Sequence, residues 1–167
     1  MPVFKTILST LQFHPLKTDI PGKVLRSFRR DAGWSEQPLR CATNQNVNSK
    51  VQWVSVVSNE MVIAIARLEL APPGFCYVSE LIVQQEYRRR GIGRWFLQNI
   101  EQYAALFGIP RLLLHAAPLA AGFYERLHFA PDPVVPGFLR KEISPLQPRA
   151  SRAFSRPLAN SATGQAR

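Results

Sequence analysis

"ELIVQQEYRRRGIGRWFLQNIEQYA", residues 80–104, joins a short apolar run to three arginines, a Gly-x-Gly and an apolar repeat at helical spacing. "FCYVSELIV" (75–83) reads as a strand. Ile92, Trp95, Phe96, Asn99/Ile100, Tyr103 and Leu106/Phe107 recur with the period of an α-helix, which Gly108 and then Pro110 terminate. Two readings compete for the turn between them. The arginines grip nucleic acid, or the main chain cradles the phosphates of a small molecule.

The order of elements favours the cradle. A strand that feeds a glycine turn opening a helix presents successive backbone N–H groups where the helix macrodipole favours anions. Gly91 and Gly93 carry no Cβ, so phosphate oxygens can approach the main chain and the turn can take positive φ. Arg88, Arg89 and Arg90 add charge without filling the space. The two best-known phosphate loops do not match. No Lys-Ser or Lys-Thr follows these glycines, as GxxxxGK[ST] requires, and Phe96 stands where GxGxxG needs its last glycine.

Outward from this centre, strand and helix signals alternate. "VFKTILSTLQF" (3–13) predicts a strand, and "IPGKVLRSFRRDAGW" (20–34) a short helix that starts after Pro21-Gly22 and ends near Gly33. "NQNVNS" (44–49) is a turn-rich loop, and "VQWVSVVSNEMVIAIARLEL" (51–70) reads as a hairpin around Ser58-Asn59-Glu60. Pro72-Pro73-Gly74 breaks the chain before the central strand. "RLLLHA" (111–116) predicts a buried strand, "LAAGFYERLHF" (119–129) a short helix, and "VVPGFLRKEI" (134–143) a closing hairpin or edge strand. Strands first, then strand–helix–strand–helix–strand, predict an α/β layered domain with a mixed sheet over residues 1–143.

The 167 residues, 46% of them hydrophobic, suffice for one domain with a real core. The formal charge of +10 is unevenly spread. Residues 144–167 hold Arg149, Arg152, Arg156 and Arg167 and no acid, whereas residues 1–143 carry 17 basic and 11 acidic side chains. The Ser/Pro/Arg-rich tail is expected to be disordered, and the domain's potential to attract anionic ligands. No apolar run reaches the length of a membrane span, and Met1–Leu11 lacks the pattern of a signal peptide. A cytoplasmic protein without membrane contact is expected. Cys41 and Cys76 form no CxxC pair and lie near no His cluster, so no metal site is expected.

Arg88-Arg89-Arg90-Gly91-Ile92-Gly93 fits the pattern [Q/R]-x-x-G-x-[G/A], and "FYERLHF" (123–129) follows at suitable spacing. Together they resemble the GNAT superfamily of acetyl-CoA-dependent N-acetyltransferases, over element order from residue 3 to 143. The resemblance implies a mixed, mostly antiparallel central sheet flanked by helices, with acyl-CoA bound at a splay between central strands. It implies that Leu81, Ile82 and Val83 line that splay, with a main-chain N–H, at Val83, polarising the thioester carbonyl. The backbone around Arg88, Arg89, Arg90, Gly91, Ile92, Gly93 and Arg94 would hold the pyrophosphate. Tyr124 matches the general acid that returns a proton to the thiolate. Acetyl-CoA is the implied cosubstrate, with a primary amine as acceptor in a ternary complex.

Glu80 is the candidate base. Strand alternation predicts Val78, Glu80 and Ile82 on one face, among apolar neighbours that would prepare the carboxylate to take a proton from an amine. A structural salt bridge, for instance with Arg67, is the competing role. His115 is a weaker candidate for base or substrate contact. Two positions depart from the family pattern: Ala117 stands where an Asn often contacts pantetheine, and His128 where a Gly precedes the final Phe. These departures keep open a protein that binds acyl-CoA or scaffolds a partner without turnover. A nucleic-acid module is the remoter reading, because no binding motif or interleaved aromatics accompany the arginines. The acceptor is not legible, and either a monomer or a homodimer fits.

Overall fold

In the computed structural model, which describes residues 10–34 and 49–144, the β-branched runs around Asn59-Glu60 pair as the antiparallel hairpin β2 (Lys50–Ser58) and β3 (Met61–Ala71). Asn59 and Glu60 take φ of 48° and 64°, the handedness that lets a two-residue turn follow the twist of its strands. β1 (Gln12–Pro15) pairs antiparallel on the outside of β2. β4 (Phe75–Val83) returns antiparallel beside β3. The helix α2 (Ile92–Ala105) then crosses over, and β5 (Arg111–Leu114) lies parallel to β4. β7 (Leu139–Glu142) runs antiparallel to β5 and closes a hairpin with the two-residue β6 (Ala130–Pro131).

The sheet order is β1-β2-β3-β4-β5-β7-β6, and among the described residues β4–β5 is its one parallel pair. The mixed, mostly antiparallel α/β arrangement is therefore the one expected. Of the segment 3–13 that reads as a strand, Gln12 and Phe13 lie in β1, which continues to Pro15. Residues 3–9 of that segment, most of the "NQNVNS" loop and the tail beyond Ser144 lie outside the described residues.

Apolar residues divide between the two sheet faces. α2 lays Ile92, Phe96, Leu97 and Ile100 against Val54, Val56, Leu68, Val78 and Leu112, and Leu127 and Phe129 join the same cluster. Each such fully buried side chain contributes about 1.5–3 kcal/mol. The opposite face is covered by α1 (Gly22–Asp31), whose Phe28 packs with Ile20, Trp53, Ile65 and Ile82. α1 ends as its glycine suggests. Gly33 takes φ 69°, and the N–H groups of Trp34 and Gly33 return to the carbonyls of Arg29 and Arg30 at 2.9 and 3.0 Å.

One irregularity sets the geometry of the centre. The β3–β4 register passes from Arg67↔Ser79 to Ile65↔Ile82, so Glu80 and Leu81 together oppose Ala66. Glu80 sits in this β-bulge with φ 52°. The extra residue inverts the alternation beyond it. Val78 packs on the α2 side, whereas Ile82 packs on the α1 side. The expectation that Val78, Glu80 and Ile82 share a face is thus corrected: it assumed an unbroken pleat, and the bulge breaks it.

Candidate active site

Hydrogen bonding between β4 and β5 reaches Val78↔Leu114 and stops. β5 ends at Leu114, and the chain leaves through a 3-10 turn (Pro118–Ala120) into α3 (Ala121–Glu125). β4 continues to Val83, still paired with β3. A gap therefore opens along one edge of β4. The N–H of Gln84 points to β3, bonding the Ile63 carbonyl at 2.9 Å. Because these groups alternate along a strand, those of Leu81 and Val83 point the other way, towards the gap. The Val83 carbonyl lies on that edge too, where it accepts from Arg88 Nε at 2.8 Å.

From the gap the chain passes through a 3-10 turn (Gln85–Tyr87) to the arginines. Arg89 and Gly91 take φ of 57° and 78°, and Gly91 is the left-handed N-cap of α2. No side chain caps this helix, so its first N–H groups remain available as donors. A Cβ on Gly91 would meet nothing within 4 Å, which leaves the cradle open on that side. Ile92 is buried in the core, so only its main chain faces outward. These features fit a phosphate-bearing ligand. Gly93 has a different reason for being glycine than the expected one. It is not among the positive-φ residues, and a Cβ there would lie 3.3 Å from Phe123 Cζ and 4.0 Å from Val83 Cγ2. Its small size admits the Phe123 ring against the loop.

The arginines separate by their contacts. Arg89, Arg90 and Arg94 are exposed, with Arg90 5.9 Å from the centre of the Tyr87 ring. Arg88 is exposed as well, but its guanidinium is bonded within the chain, donating to the Val83 carbonyl and to Asp31.

Tyr124 lies on α3 between Phe123 and Phe129, whose ring centres are 5.0 and 5.6 Å away. Burial pushes its phenol up to about 12, because the phenolate would lose its hydration. The helix ends with His128 in the left-handed region at φ 69°, as expected if it replaces a glycine there. The N–H groups of Phe129 and His128 bond the carbonyls of Tyr124 and Glu125 at 3.1 and 2.9 Å, a Schellman closure.

Glu80 is buried and bound two-pronged by Arg29 of α1, Nε to Oε2 at 3.0 Å and Nη2 to Oε1 at 2.5 Å. That hydrogen bond raises the Arg29 pKa, against the opposing effect of burial. Arg67, the partner suggested by sequence, lies 3.6 Å from Glu69 instead. His115 is exposed at the end of β5, edge-on to Phe138 at 5.7 Å, and Phe138 also meets Tyr77 at 5.7 Å. Leu81, Val83, Phe123 and Tyr124 therefore pack against the α2-side core, and Glu80 joins α1 on the other face. Sequence reasoning missed Arg29, Asp31 and Phe123. The only trace of the first two was a charged run at the end of a predicted helix.

Among the described residues, no group of three or more His, Cys, Asp or Glu side chains is placed to hold a metal ion, and no helix is long and apolar enough to cross a membrane.

Comparison with known proteins agrees with this geometry. The model of the acetyltransferase (GNAT) family matches residues 22–129, more than half of the chain. A protein named probable N-acetyltransferase 14, from Danio rerio, is 32% identical over 80 residues, which are 46% of this chain and 29% of that protein. The chain therefore spans well under two thirds of that relative. The crystal structure of Tetrahymena GCN5 superposes with a TM-score of 0.61 at 17% identity, covering 80% of this chain and 97% of that one. The PaiA N-acetyltransferase of Thermoplasma acidophilum, solved with coenzyme A, gives 0.50 at 16% identity over 55% of this chain and 60% of its own.

Proposed function

The chain belongs to the acetyltransferase (GNAT) family, and from that premise we propose that it is an N-acetyltransferase transferring acetyl from acetyl-CoA to a primary amine within a ternary complex. The observation that carries this reading is the β4 edge. Its pairing with β5 ends at Val78, the N–H groups of Leu81 and Val83 turn into the gap, and the strand runs on to a left-handed, uncapped glycine N-cap.

Acetyl-CoA supplies an activated thioester whose sulfur is a competent leaving group. Every other requirement falls on the chain. Leu81 to Val83 hold an extended ligand by main-chain bonds, and the Val83 N–H stabilises negative charge developing on a carbonyl oxygen in the gap. The backbone from Arg88 through Gly91, Ile92 and Gly93 to Arg94 receives phosphate oxygens, with Gly91 leaving the approach clear. Tyr124 keeps its proton throughout the working pH range and gives it to the departing sulfur. Glu80 takes a proton from the amine, directly or through a water, while Arg29 fixes the carboxylate in place.

Binding without turnover is the second reading, and the Arg29–Glu80 pair favours it: both carboxylate oxygens already accept from the guanidinium, which an incoming amine or water would have to share. The test is titration calorimetry of the protein with acetyl-CoA, followed by thiol release against a panel of primary amines. Sub-millimolar binding with amine-dependent release supports the enzyme. Binding with no release from any amine supports the second reading, and no binding at all removes both.

A further inference from the structure

We infer that Asp31 is a positioning residue that braces the cofactor loop, with Arg88 as its internal strut rather than as a phosphate ligand. The inference rests on the acetyl-CoA reading only for what the loop holds. The brace itself is a set of contacts. The Asp31 carboxylate Oδ2 accepts the Gln85 N–H at 2.8 Å and Arg88 Nη2 at 2.9 Å. The same Nη2 reaches the Asp31 carbonyl at 3.2 Å, and Arg88 Nε donates to the Val83 carbonyl at 2.8 Å. Three hydrogen bonds thus tie the last residue of α1 to Gln85 and Arg88 in the turn, and a fourth ties Arg88 back to Val83 at the end of the gap strand.

An isolated ion pair at this exposure would do little, with side chains 38% and 31% exposed. Here the two groups also satisfy main-chain atoms that the strand leaves unpaired. Val83 has no β5 partner for its carbonyl, and Gln85 opens a 3-10 turn with no side-chain cap from its own N-cap residue, Gln84. Removing either end of the brace releases a main-chain group as well as a charge. The neighbouring contact acts in the same sense, since Arg29 clamps Glu80 at the bulge. The final turn of α1 therefore holds the gap strand at its bulge and at its exit. All four arginines are exposed, but the Arg88 guanidinium is committed to Val83 and Asp31 and so shapes the cradle, which leaves Arg89, Arg90 and Arg94 as the charge facing a ligand.

The test is a double-mutant cycle on the full chain, Asp31→Ala, Arg88→Ala and both together, with coenzyme A affinity read by calorimetry. Asp31→Asn accompanies it as a milder variant that keeps an acceptor for Gln85 N–H. Each alanine variant is expected to weaken coenzyme A about tenfold, the loss of a charge-assisted network. The double variant is expected to be no weaker than the poorer single one. In turnover the change should fall on KM for acetyl-CoA and leave kcat alone. Penalties that multiply in the double variant mean that Arg88 acts on the ligand independently, which overturns the inference. So does an Asp31→Ala affinity within twofold of the parent. Amide hydrogen exchange at residues 85–90 reads the brace without ligand and should quicken in Asp31→Ala; unchanged exchange overturns it. A parent protein that binds no coenzyme A, yet shows that quickened exchange, sinks the acetyl-CoA reading and leaves the brace standing.

Discussion

Tyr124 shows how far one side chain carries the chemistry. Its raised phenol stays protonated well past neutral pH, so it is a steady donor and a poor base. Tyr124→Phe removes only the hydroxyl and keeps the packing against Phe123 and Phe129. We expect kcat to fall about 100-fold, the usual reach of a general acid, with coenzyme A affinity unchanged. Turnover and calorimetry on the same preparation check this. A second consequence follows from linkage. The folded protein retains this proton more tightly than the unfolded chain does, so the phenol costs no stability below pH 10. Between pH 10 and 12 the unfolded state binds fewer protons, and stability falls by up to about 2–3 kcal/mol. Urea melts across that range should show a shallower loss in Tyr124→Phe.

At the scale of elements, the glycines of the motif separate by what each avoids. Gly91 is needed for its left-handed backbone and Gly93 for its missing volume. Gly91→Ala should cost about 1–2 kcal/mol in loop and N-cap strain and loosen the phosphate cradle. Gly93→Ala meets a side chain instead of a forbidden φ, so its effect should reach the acyl end by moving Phe123. Comparing affinities for coenzyme A and for inorganic pyrophosphate separates the two: Gly91→Ala should weaken both, and Gly93→Ala chiefly the former. At the end of α3 the logic runs backwards. His128 occupies a left-handed Schellman position, so His128→Gly should raise stability by about 1 kcal/mol, the strain relieved less the unfolded-chain entropy added. A thermal melt should show a rise of about 2–4 °C with unchanged ligand affinity.

These elements also show where sequence reading held and where it ran out. The hairpin, the central strand, α1 and α2 were legible because their periods and punctuation are local: turn residues at 59–60, glycines at 33 and 108, a helical repeat from Ile92. The Glu80 bulge was not, because it depends on the register of a partner strand and no residue type announces it. Its consequence was a carboxylate assigned the wrong ion-pair partner. Arg29 stands 51 residues away in sequence, and only the packing of α1 on the sheet brings it to Glu80. A similar separation, 54 residues to Gln85, hid Asp31 from the loop it touches.

Over the whole molecule, charge and core part company. The described core closes at its C-terminal end with Ile143, which is buried and whose N–H bonds the Pro110 carbonyl at 2.8 Å. The residues beyond Ser144 carry four of the 21 basic side chains and none of the 11 acids. We therefore propose residues 1–143 as the acetyltransferase domain, with residues 144–167 as a basic appendage that takes no part in the site. Cutting the chain after Ser144 should leave the melting temperature and coenzyme A affinity within error of the full-length values. Any binding to random duplex DNA should weaken, and its logarithmic salt slope should fall by about 3–4, the counterions released by four arginines. If duplex binding survives the cut with its slope intact, the phosphate contacts lie on the domain. Loss of that slope on replacing Arg89, Arg90 and Arg94 together would place them at the glycine cradle rather than at the other exposed basic residues, such as Lys23, Arg26 and Arg30. Loss of coenzyme A affinity on truncation would instead place part of the site in the tail, and the domain boundary would move with it.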